Sequence, residues 1–202
     1  MMEPVLLSIL LLPVAYLLGT FPSAQIVARR RGVDITSTGS GNPGASNVRR
    51  VLGRRSGVLV FVLDGLKGAA AVGGGFLVAG YAGALALTCA AALGHVFPVT
   101  RGFKGGKGVA TIGGAMLALY PLVSLVLLVV WLTVARLTKK ASLASIAIVV
   151  GLPIGLVIVG RPLGELITTV ALGVFVIWRH WPNLKRLVRG TEHSLRDGQP
   201  AA

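Results

Sequence analysis

Two polar stretches of this sequence combine glycine with side chains that bind phosphate. Residues 37–50 read STGSGNPGASNVRR, and residues 95–111 read HVFPVTRGFKGGKGVAT. Glycine lets the backbone approach a ligand and turn its N–H groups toward it, while Arg49 or Arg50 could grip a phosphate group in bidentate fashion. Each stretch runs into a predicted helix, whose N-terminus favours an anion. The alternative for both is a basic loop that only anchors the chain at a membrane surface.

The second stretch does not match the P-loop of nucleotide-hydrolysing enzymes. That motif requires Ser or Thr after its lysine and four residues between its two glycines. Here Gly108 follows Lys107, and only three residues separate Gly102 from Gly106. The sequence therefore gives little support to ATP hydrolysis.

The titratable residues offer one acid–base candidate and one ion pair. His95 borders the second stretch and could accept a proton from a reacting hydroxyl; the alternative is a histidine at the membrane interface whose hydrogen bonds are satisfied within the protein. Asp64 and Lys67 lie three residues apart within an apolar run and would share a helix face, where a structural ion pair is favoured over direct catalysis. The histidines lack metal-site spacing, and the single cysteine, Cys89, lies in an apolar run. Neither a metal site nor redox chemistry is expected.

A third basic segment, residues 179–197, follows the last apolar run. A basic exit that carries tryptophan is typical of any membrane-interface anchor. A membrane-interface anchor does not account for Asn183 and Glu192, which are therefore the candidate functional residues of this segment.

The composition is that of a membrane protein. Of the 202 residues, 54% are hydrophobic and 13% are charged, against about 25% charged in an ordinary soluble domain. The net charge is +14, yet the basic residues lie at the ends of apolar runs, and aromatic residues are scarce in the loops. This placement favours membrane topology and anionic ligands over nucleic acid.

Hydropathy and charge together predict seven spans. The apolar runs are 4–28, 58–79, 82–97, 109–137, 141–160 and 163–178. The run 109–137 could cross once with a kink, or twice with a break near Tyr120 and Pro121. Crossing twice places every Lys and Arg except Arg161 on one side, as their excess in cytoplasmic loops requires. We therefore predict an all-α membrane protein with seven transmembrane helices, the N-terminus outside and the C-terminus cytoplasmic.

A single polytopic domain of residues 1–202 is expected, because no fixed-period repeat divides the chain. Its cytoplasmic segments would be residues 29–57, 95–108 and 179–197. A transporter for an anionic metabolite is a rival interpretation, but it should place its charges near the bilayer midplane. A lipid-binding scaffold is a second rival, and it would not explain the dense Gly, Asn and Ser pattern.

Taken together, the segments resemble the bacterial acyl-phosphate:glycerol-3-phosphate acyltransferases of the PlsY type. The matching motifs are Gly39-Ser40-Gly41-Asn42, Gly44-Ala45-Ser46-Asn47, Asp64 with Lys67-Gly68, residues 103–111 (FKGGKGVAT), and His180 with Asn183, Arg186 and Gly190-Thr191-Glu192. They occur in the family's order over nearly the whole chain. Pro43 and Ser46 depart from the Val and Thr that the family's pattern leads us to expect, and neither change removes a donor needed for phosphate.

The resemblance implies transfer of a fatty acyl group from acyl phosphate to the 1-hydroxyl of sn-glycerol 3-phosphate. The products would be lysophosphatidic acid and phosphate, in the initial step of phospholipid synthesis. Because acyl phosphate already carries a good leaving group, no cofactor is expected, and the protein's task is orientation and charge stabilisation. The expected location is the bacterial cytoplasmic (inner) membrane, with the active site facing the cytoplasm. Expected partners are the two substrates, membrane lipids and, as a further candidate, the soluble enzyme that makes acyl phosphate.

The resemblance also assigns roles to individual residues. Positions that hold glycerol 3-phosphate are Ser40, Arg50, Lys104 and Asn183. Catalytic positions near the reacting centre are Ser40, Asn42 and His95. Positions that bind acyl phosphate or phosphate are Gly105, Gly106, Lys107, Gly108 and Thr111. Supporting positions are Asn47, Asp64, Lys67 and Glu192. Either His95 or the substrate's own phosphate could take the hydroxyl proton.

Overall fold

The structure is a computed structural model that describes residues 3–195. All regular elements of these residues are helices, and no β-strand is present among them, as the all-α prediction requires. The helices are α1 (Pro4–Gly19), α2 (Ser23–Arg29), α3 (Ala45–Val96), α4 (Val109–Leu119), α5 (Pro121–Thr138), α6 (Ala141–Ile158), α7 (Leu163–Arg179) and α8 (Trp181–Val188), with a short 3-10 helix at Val99–Arg101. The described chain forms two compact units, one up to Leu119 and one from Tyr120 onward. A single domain over residues 1–202 stays a prediction.

Helix α3 contains a chain reversal that separates two apolar arms. The backbone leaves helical geometry at Ala79 and Gly80, where Gly80 has a φ of 57°. A Cβ atom added to Gly75 would lie 2.3 Å from the carbonyl oxygen of Gly83, whereas residues eight apart in a straight helix are separated by about 12 Å. The turn predicted between the second and third spans is therefore present at Gly80.

Two of the predicted apolar runs, 4–28 and 109–137, are each divided into two helices. The run 4–28 is interrupted between α1 and α2, where Pro22 has no N–H to donate and restricts the residue before it. The break predicted near Tyr120 is present, since α5 begins at Pro121, a position where proline is tolerated. Helix α3 begins at Ala45, inside the predicted cytoplasmic segment 29–57 and before the apolar run 58–79.

Glycine brings the helices of the first unit into close contact. A Cβ atom on Gly68 of α3 would lie 1.9 Å from the carbonyl oxygen of Thr111 in α4. One on Gly94 of α3 would lie 1.9 Å from the carbonyl oxygen of Tyr16 in α1. Such backbone contact replaces the hydrophobic effect as the source of helix association in lipid. Helix α3 is thereby packed between α1 and α4.

Large apolar side chains cover the outside of these helices. The most exposed include Leu77, Leu122, Leu137, Ile158 and Val174. By length and composition, four helical stretches of the described residues could cross a membrane, or five if α7 and α8, bent by 58°, count as one span. One of the four stretches includes α3, which reverses at Gly80. The count of seven spans and the orientation of the termini stay predictions.

Candidate active site

Asn47 organises the loop that precedes α3. Its side chain is buried, and its Nδ2 donates to the carbonyl oxygens of Ile35 and Thr38, at 3.2 and 2.9 Å. Its Oδ1 accepts the backbone N–H of Ser40 at 2.9 Å and the guanidinium of Arg50 at 3.2 Å. One amide therefore holds Ser40 and Arg50 next to each other, which is a supporting role of the kind predicted for Asn47.

The glycines of this loop serve its backbone geometry. Gly39 and Gly41 have φ values of 63° and 69°, in the left-handed region that favours glycine. A Cβ atom on Gly39 would also lie 2.5 Å from Oδ1 of Asn47. Ser40, between the two glycines, is exposed, and Asn42 is half-buried. The loop thus presents a hydroxyl and an amide at the surface of the first unit.

In the second segment, Gly105 and Gly106 pack against the end of α3. Their backbone N–H groups donate to the carbonyl oxygens of Val96 and His95, each at 3.1 Å. A Cβ atom on Gly106 would lie 2.2 Å from Nε2 of His95. These two N–H groups are used within the protein, so the two glycines allow close packing rather than supply an N–H cradle.

The N-terminus of α4 supplies the remaining groups of the second segment. Gly108 has a φ of 86° just before the helix begins. Thr111, in the first turn, is fully buried, and its hydroxyl has no hydrogen-bond partner among the described residues. Lys104 is exposed and Lys107 is half-buried. A helix N-terminus with two nearby ammonium groups attracts anions.

Asp64, Lys67 and His95 form a buried cluster of titratable side chains. Asp64 is 2% exposed and Lys67 is 4% exposed, with Nζ of Lys67 2.8 Å from Oδ1 of Asp64. Nζ of Lys67 also donates to the carbonyl oxygen of Phe21 at 3.2 Å. Nδ1 of His95 lies 3.7 Å from the same oxygen of Asp64. The ion pair expected from the spacing of Asp64 and Lys67 is present, and the imidazole of His95 has Asp64 on one side and Gly106 on the other.

Tyr16 and Arg101 connect the second segment, residues 95–111, to α1 and α2 through hydrogen bonds. Neither residue was identified from the sequence. Arg101 donates to Oε1 of Gln25 at 3.0 Å and to the carbonyl oxygen of Thr20 at 2.9 Å. The hydroxyl of Tyr16 donates to the carbonyl oxygen of Phe97 at 2.6 Å. The only signal in the sequence was the position of Arg101 inside the basic segment.

In the second unit, Glu192 links the third basic segment to the start of α6. Its buried carboxylate accepts from Nδ2 of Asn183 at 2.6 Å, from the hydroxyl of Ser142 at 2.8 Å and from Nε of Arg186 at 2.8 Å. Its backbone carbonyl accepts from Nζ of Lys140. Asn183 is thus held by a charge-assisted hydrogen bond.

The pKa of Glu192 reflects two opposing effects. Burial favours the neutral acid, but the hydrogen bonds from Asn183, Ser142 and Arg186 outweigh it, and the pKa is lowered below its usual value. A folded-state pKa below the unfolded value contributes stability above the unfolded pKa. That contribution is lost as the pH falls through the folded pKa, so Glu192 holds Asn183 as a carboxylate at neutral pH.

The predicted site residues lie in both units. Those of the first unit are Ser40, Asn42, Asn47, Arg50, Asp64, Lys67, His95, Lys104, Gly105, Gly106, Lys107, Gly108 and Thr111, and those of the second are Asn183 and Glu192. Within the first unit, Ser40 lies beside Arg50 and His95 lies beside Gly106. That Asn183 shares a ligand with residues of the first unit stays a prediction. Among the described residues, no group of three or more His, Cys, Asp or Glu side chains could hold a metal ion.

Comparison with known proteins gives matches over almost the full chain. The family model described as glycerol-3-phosphate acyltransferase matches residues 9–190. The chain is 44% identical to the glycerol-3-phosphate acyltransferase of Clostridioides difficile, over 93% of this chain and 95% of that one. It is 40% identical to the glycerol-3-phosphate acyltransferase of Aquifex aeolicus, over 89% and 94%.

Solved structures show the same similarity. The crystal structure of PlsY, an integral membrane glycerol 3-phosphate acyltransferase, in its glycerol 3-phosphate form superposes with a TM-score of 0.85 at 40% identity. The match covers 93% of this chain and 94% of that chain. The lysophosphatidic acid form of the same protein gives a TM-score of 0.84.

Proposed function

The chain belongs to the glycerol-3-phosphate acyltransferase family, and from that premise we propose that it transfers a fatty acyl group from acyl phosphate to the 1-hydroxyl of sn-glycerol 3-phosphate. The products are lysophosphatidic acid and inorganic phosphate. The observation that carries the proposal is the similarity, over 93% of this chain, to the glycerol 3-phosphate form of PlsY. The acyl phosphate donor is the finer part of the proposal, and it comes from the resemblance of the loop motifs to the PlsY type.

Glycerol 3-phosphate is assigned to Ser40, Arg50, Lys104 and Asn183. The hydrogen bonds of Asn47 support this assignment, since they place the backbone of Ser40 beside the guanidinium of Arg50. A guanidinium binds a phosphate through two parallel hydrogen bonds. Asn47 therefore lowers the entropic cost of binding by fixing both groups before the substrate arrives.

Acyl phosphate is assigned to the segment from Gly105 to Thr111. Gly105 and Gly106 shape the loop, while Lys107, Gly108 and the buried hydroxyl of Thr111 lie where α4 begins. The partial positive charge of a helix N-terminus and the lysine would stabilise the negative charge that develops on the departing phosphate.

The proposed reaction is a single displacement at the acyl carbon. The 1-hydroxyl oxygen of glycerol 3-phosphate bonds to the acyl carbon, and the bond from that carbon to the phosphate oxygen breaks. Inorganic phosphate leaves with the electron pair, and either His95 or the departing phosphate takes the hydroxyl proton. Asn42, on the same loop as Ser40, is assigned to the reacting centre together with Ser40 and His95. Because the acyl carbon is already activated, proximity and charge stabilisation supply the catalysis.

The protein is an integral membrane protein, and we place it in the bacterial cytoplasmic membrane with seven spans. The two arms of α3, together with α1 and α4 to α7, give seven apolar helical segments in the described residues. With the N-terminus outside, the basic segments and the substrate-binding residues face the cytoplasm. The proposed partner at that face is the soluble enzyme that makes acyl phosphate.

The donor is tested with purified protein in detergent. Acyl phosphate and glycerol 3-phosphate should give equal amounts of lysophosphatidic acid and inorganic phosphate, and acyl-coenzyme A should give no product. The Lys104→Ala variant should lose turnover, while Arg54→Ala, which removes an exposed basic residue outside the assigned site, should keep it. Use of acyl-coenzyme A without phosphate release would show that the donor is wrongly assigned.

A further inference from the structure

A cavity beside α2 carries three arginines that the proposed reaction does not use. Its volume is about 270 Å³. The lining residues are Val27, Arg30, Arg31, Arg55, Ser56 and Leu59. Arg30 and Arg31 follow the end of α2, and Arg55 belongs to α3. Sequence reasoning assigned these arginines to membrane topology alone.

The fold fixes the position of this cavity. Helix α3 leaves helical geometry at Gly53, which has a φ of 83°. A Cβ atom on Gly57 would lie 2.4 Å from the Cβ of Arg49, so the first turns of α3 fold back against the arm that follows. Val27, which lines the cavity, packs in a buried apolar cluster with Val60. The cavity therefore borders a packed core.

Among residues 3–195, no carboxylate forms an ion pair with any of these three arginines. The ion pairs among residues 3–195 use the carboxylates of Asp64, Glu165 and Glu192, and none reaches the cavity. Three cations around one cavity repel each other, and an anion placed among them would relieve that repulsion. Guanidinium groups also match the geometry of a phosphate oxygen pair.

An exposed apolar track continues from the cavity along α3. Leu59, which lines the cavity, is 49% exposed, Val62 is 46% exposed and Leu66 is 59% exposed. Residues at this spacing lie on one helix face. A small soluble anion would leave this apolar surface uncovered, whereas the acyl chain of a lipid would contact it.

We propose that this cavity binds an anionic phospholipid, whose phosphate lies among Arg30, Arg31 and Arg55. One acyl chain of the lipid lies along Leu59, Val62 and Leu66. The site is separate from the residues assigned to acyl transfer, so its occupancy does not depend on the proposed reaction. Bound lipid stabilises the folded protein, because it binds the native state and not the unfolded chain.

The proposal is tested by native mass spectrometry of delipidated protein titrated with phosphatidylglycerol. The parent protein should retain the lipid, and Arg31→Gln and Arg55→Gln should each weaken its apparent affinity about fivefold, as expected for one basic residue at an anionic lipid. The matched control is Arg54→Gln, because Arg54 is adjacent to Arg55 and exposed but does not line the cavity. It should retain the lipid as the parent does.

Three outcomes would overturn the proposal. Equal loss of phosphatidylglycerol from Arg54→Gln would show diffuse charge attraction in place of a defined site. Equal retention of phosphatidylcholine by the parent would show that the headgroup charge is not recognised. Displacement of the lipid by millimolar inorganic phosphate would identify the cavity as a site for a soluble anion.

Discussion

At the scale of single residues, two buried side chains, Asn47 and Glu192, position residues of the candidate site through hydrogen bonds. The amide of Asn47 engages the loop at two carbonyl oxygens, at the backbone of Ser40 and at Arg50. The carboxylate of Glu192 does the same for Asn183. Buried polar groups whose hydrogen bonds are all made restrict the positions of their neighbours. The backbone of Ser40 is therefore fixed by Asn47, although Ser40 itself is exposed.

Gly106 is the residue whose substitution should most directly disturb His95. In Gly106→Ala the new methyl group would lie 2.2 Å from Nε2 of His95, so the ring or the loop must move. A displacement of about 1 Å at a reacting centre can reduce turnover on the order of 100-fold, and we expect a loss of that size in kcat/KM for glycerol 3-phosphate. Gly113→Ala, in α4 with open space around its Cβ, should be neutral. Activity near that of the parent for Gly106→Ala would show that turnover does not require this packing.

The spacing of residues in sequence predicted local pairs but not distant ones. Asp64 and Lys67 were expected to pair because they share a helix face, and they do. The approach of His95 to Asp64 joins residues 31 positions apart, and it exists only because the chain reverses at Gly80. The hydrogen bond from the Gly106 N–H to the carbonyl oxygen of His95 likewise depends on tertiary structure. From composition alone, the N–H groups of this loop were expected to face a phosphate ligand.

At the scale of helices, hydropathy located the apolar runs and proline marked one of their breaks. The break at Tyr120 was predicted because crossing twice places every Lys and Arg except Arg161 on one side, and Pro121 marks where the run 109–137 could divide. The break before Ser23 was not predicted, since the apolar run continues through it. Hydropathy also cannot show which glycines meet another backbone, because a glycine that faces lipid has the same sequence signature as one that faces a helix.

The packing of α3 against α4 should be sensitive to a single methyl group. Gly68→Ala would place its Cβ 1.9 Å from a backbone oxygen of Thr111, and overpacking of this kind costs roughly 1–3 kcal/mol. Gly73→Ala, in the same helix with no atom within 4 Å of its Cβ, should be neutral or slightly stabilising, since alanine favours helix. Thermal unfolding in one detergent compares the two variants. Equal midpoints for both would mean that α3 and α4 are farther apart than the structure shows.

At the scale of the whole molecule, charge is the feature that relates the helices to the membrane. The basic residues far outnumber the acidic ones, and that asymmetry predicted orientation without any knowledge of packing. The packing of the third basic segment could not be predicted in this way, because its main contacts run from Glu192 to three side chains on two helices of the second unit, α6 and α8. Composition therefore predicted the class of protein, and only the resemblance of motifs predicted its chemistry.

The seven-span arrangement makes opposite predictions for the two ends of α6. This helix has 18 residues, about 27 Å, close to the roughly 30 Å of a bilayer's hydrocarbon core. With the N-terminus outside, Lys139 lies in the cytoplasm and Val159 outside. In a Cys89→Ala background, a membrane-impermeant thiol reagent applied to intact cells should label Val159→Cys and leave Lys139→Cys unlabelled until the cells are permeabilised. Labelling of Lys139→Cys in intact cells would contradict the orientation, and labelling at neither position would mean that α6 does not cross.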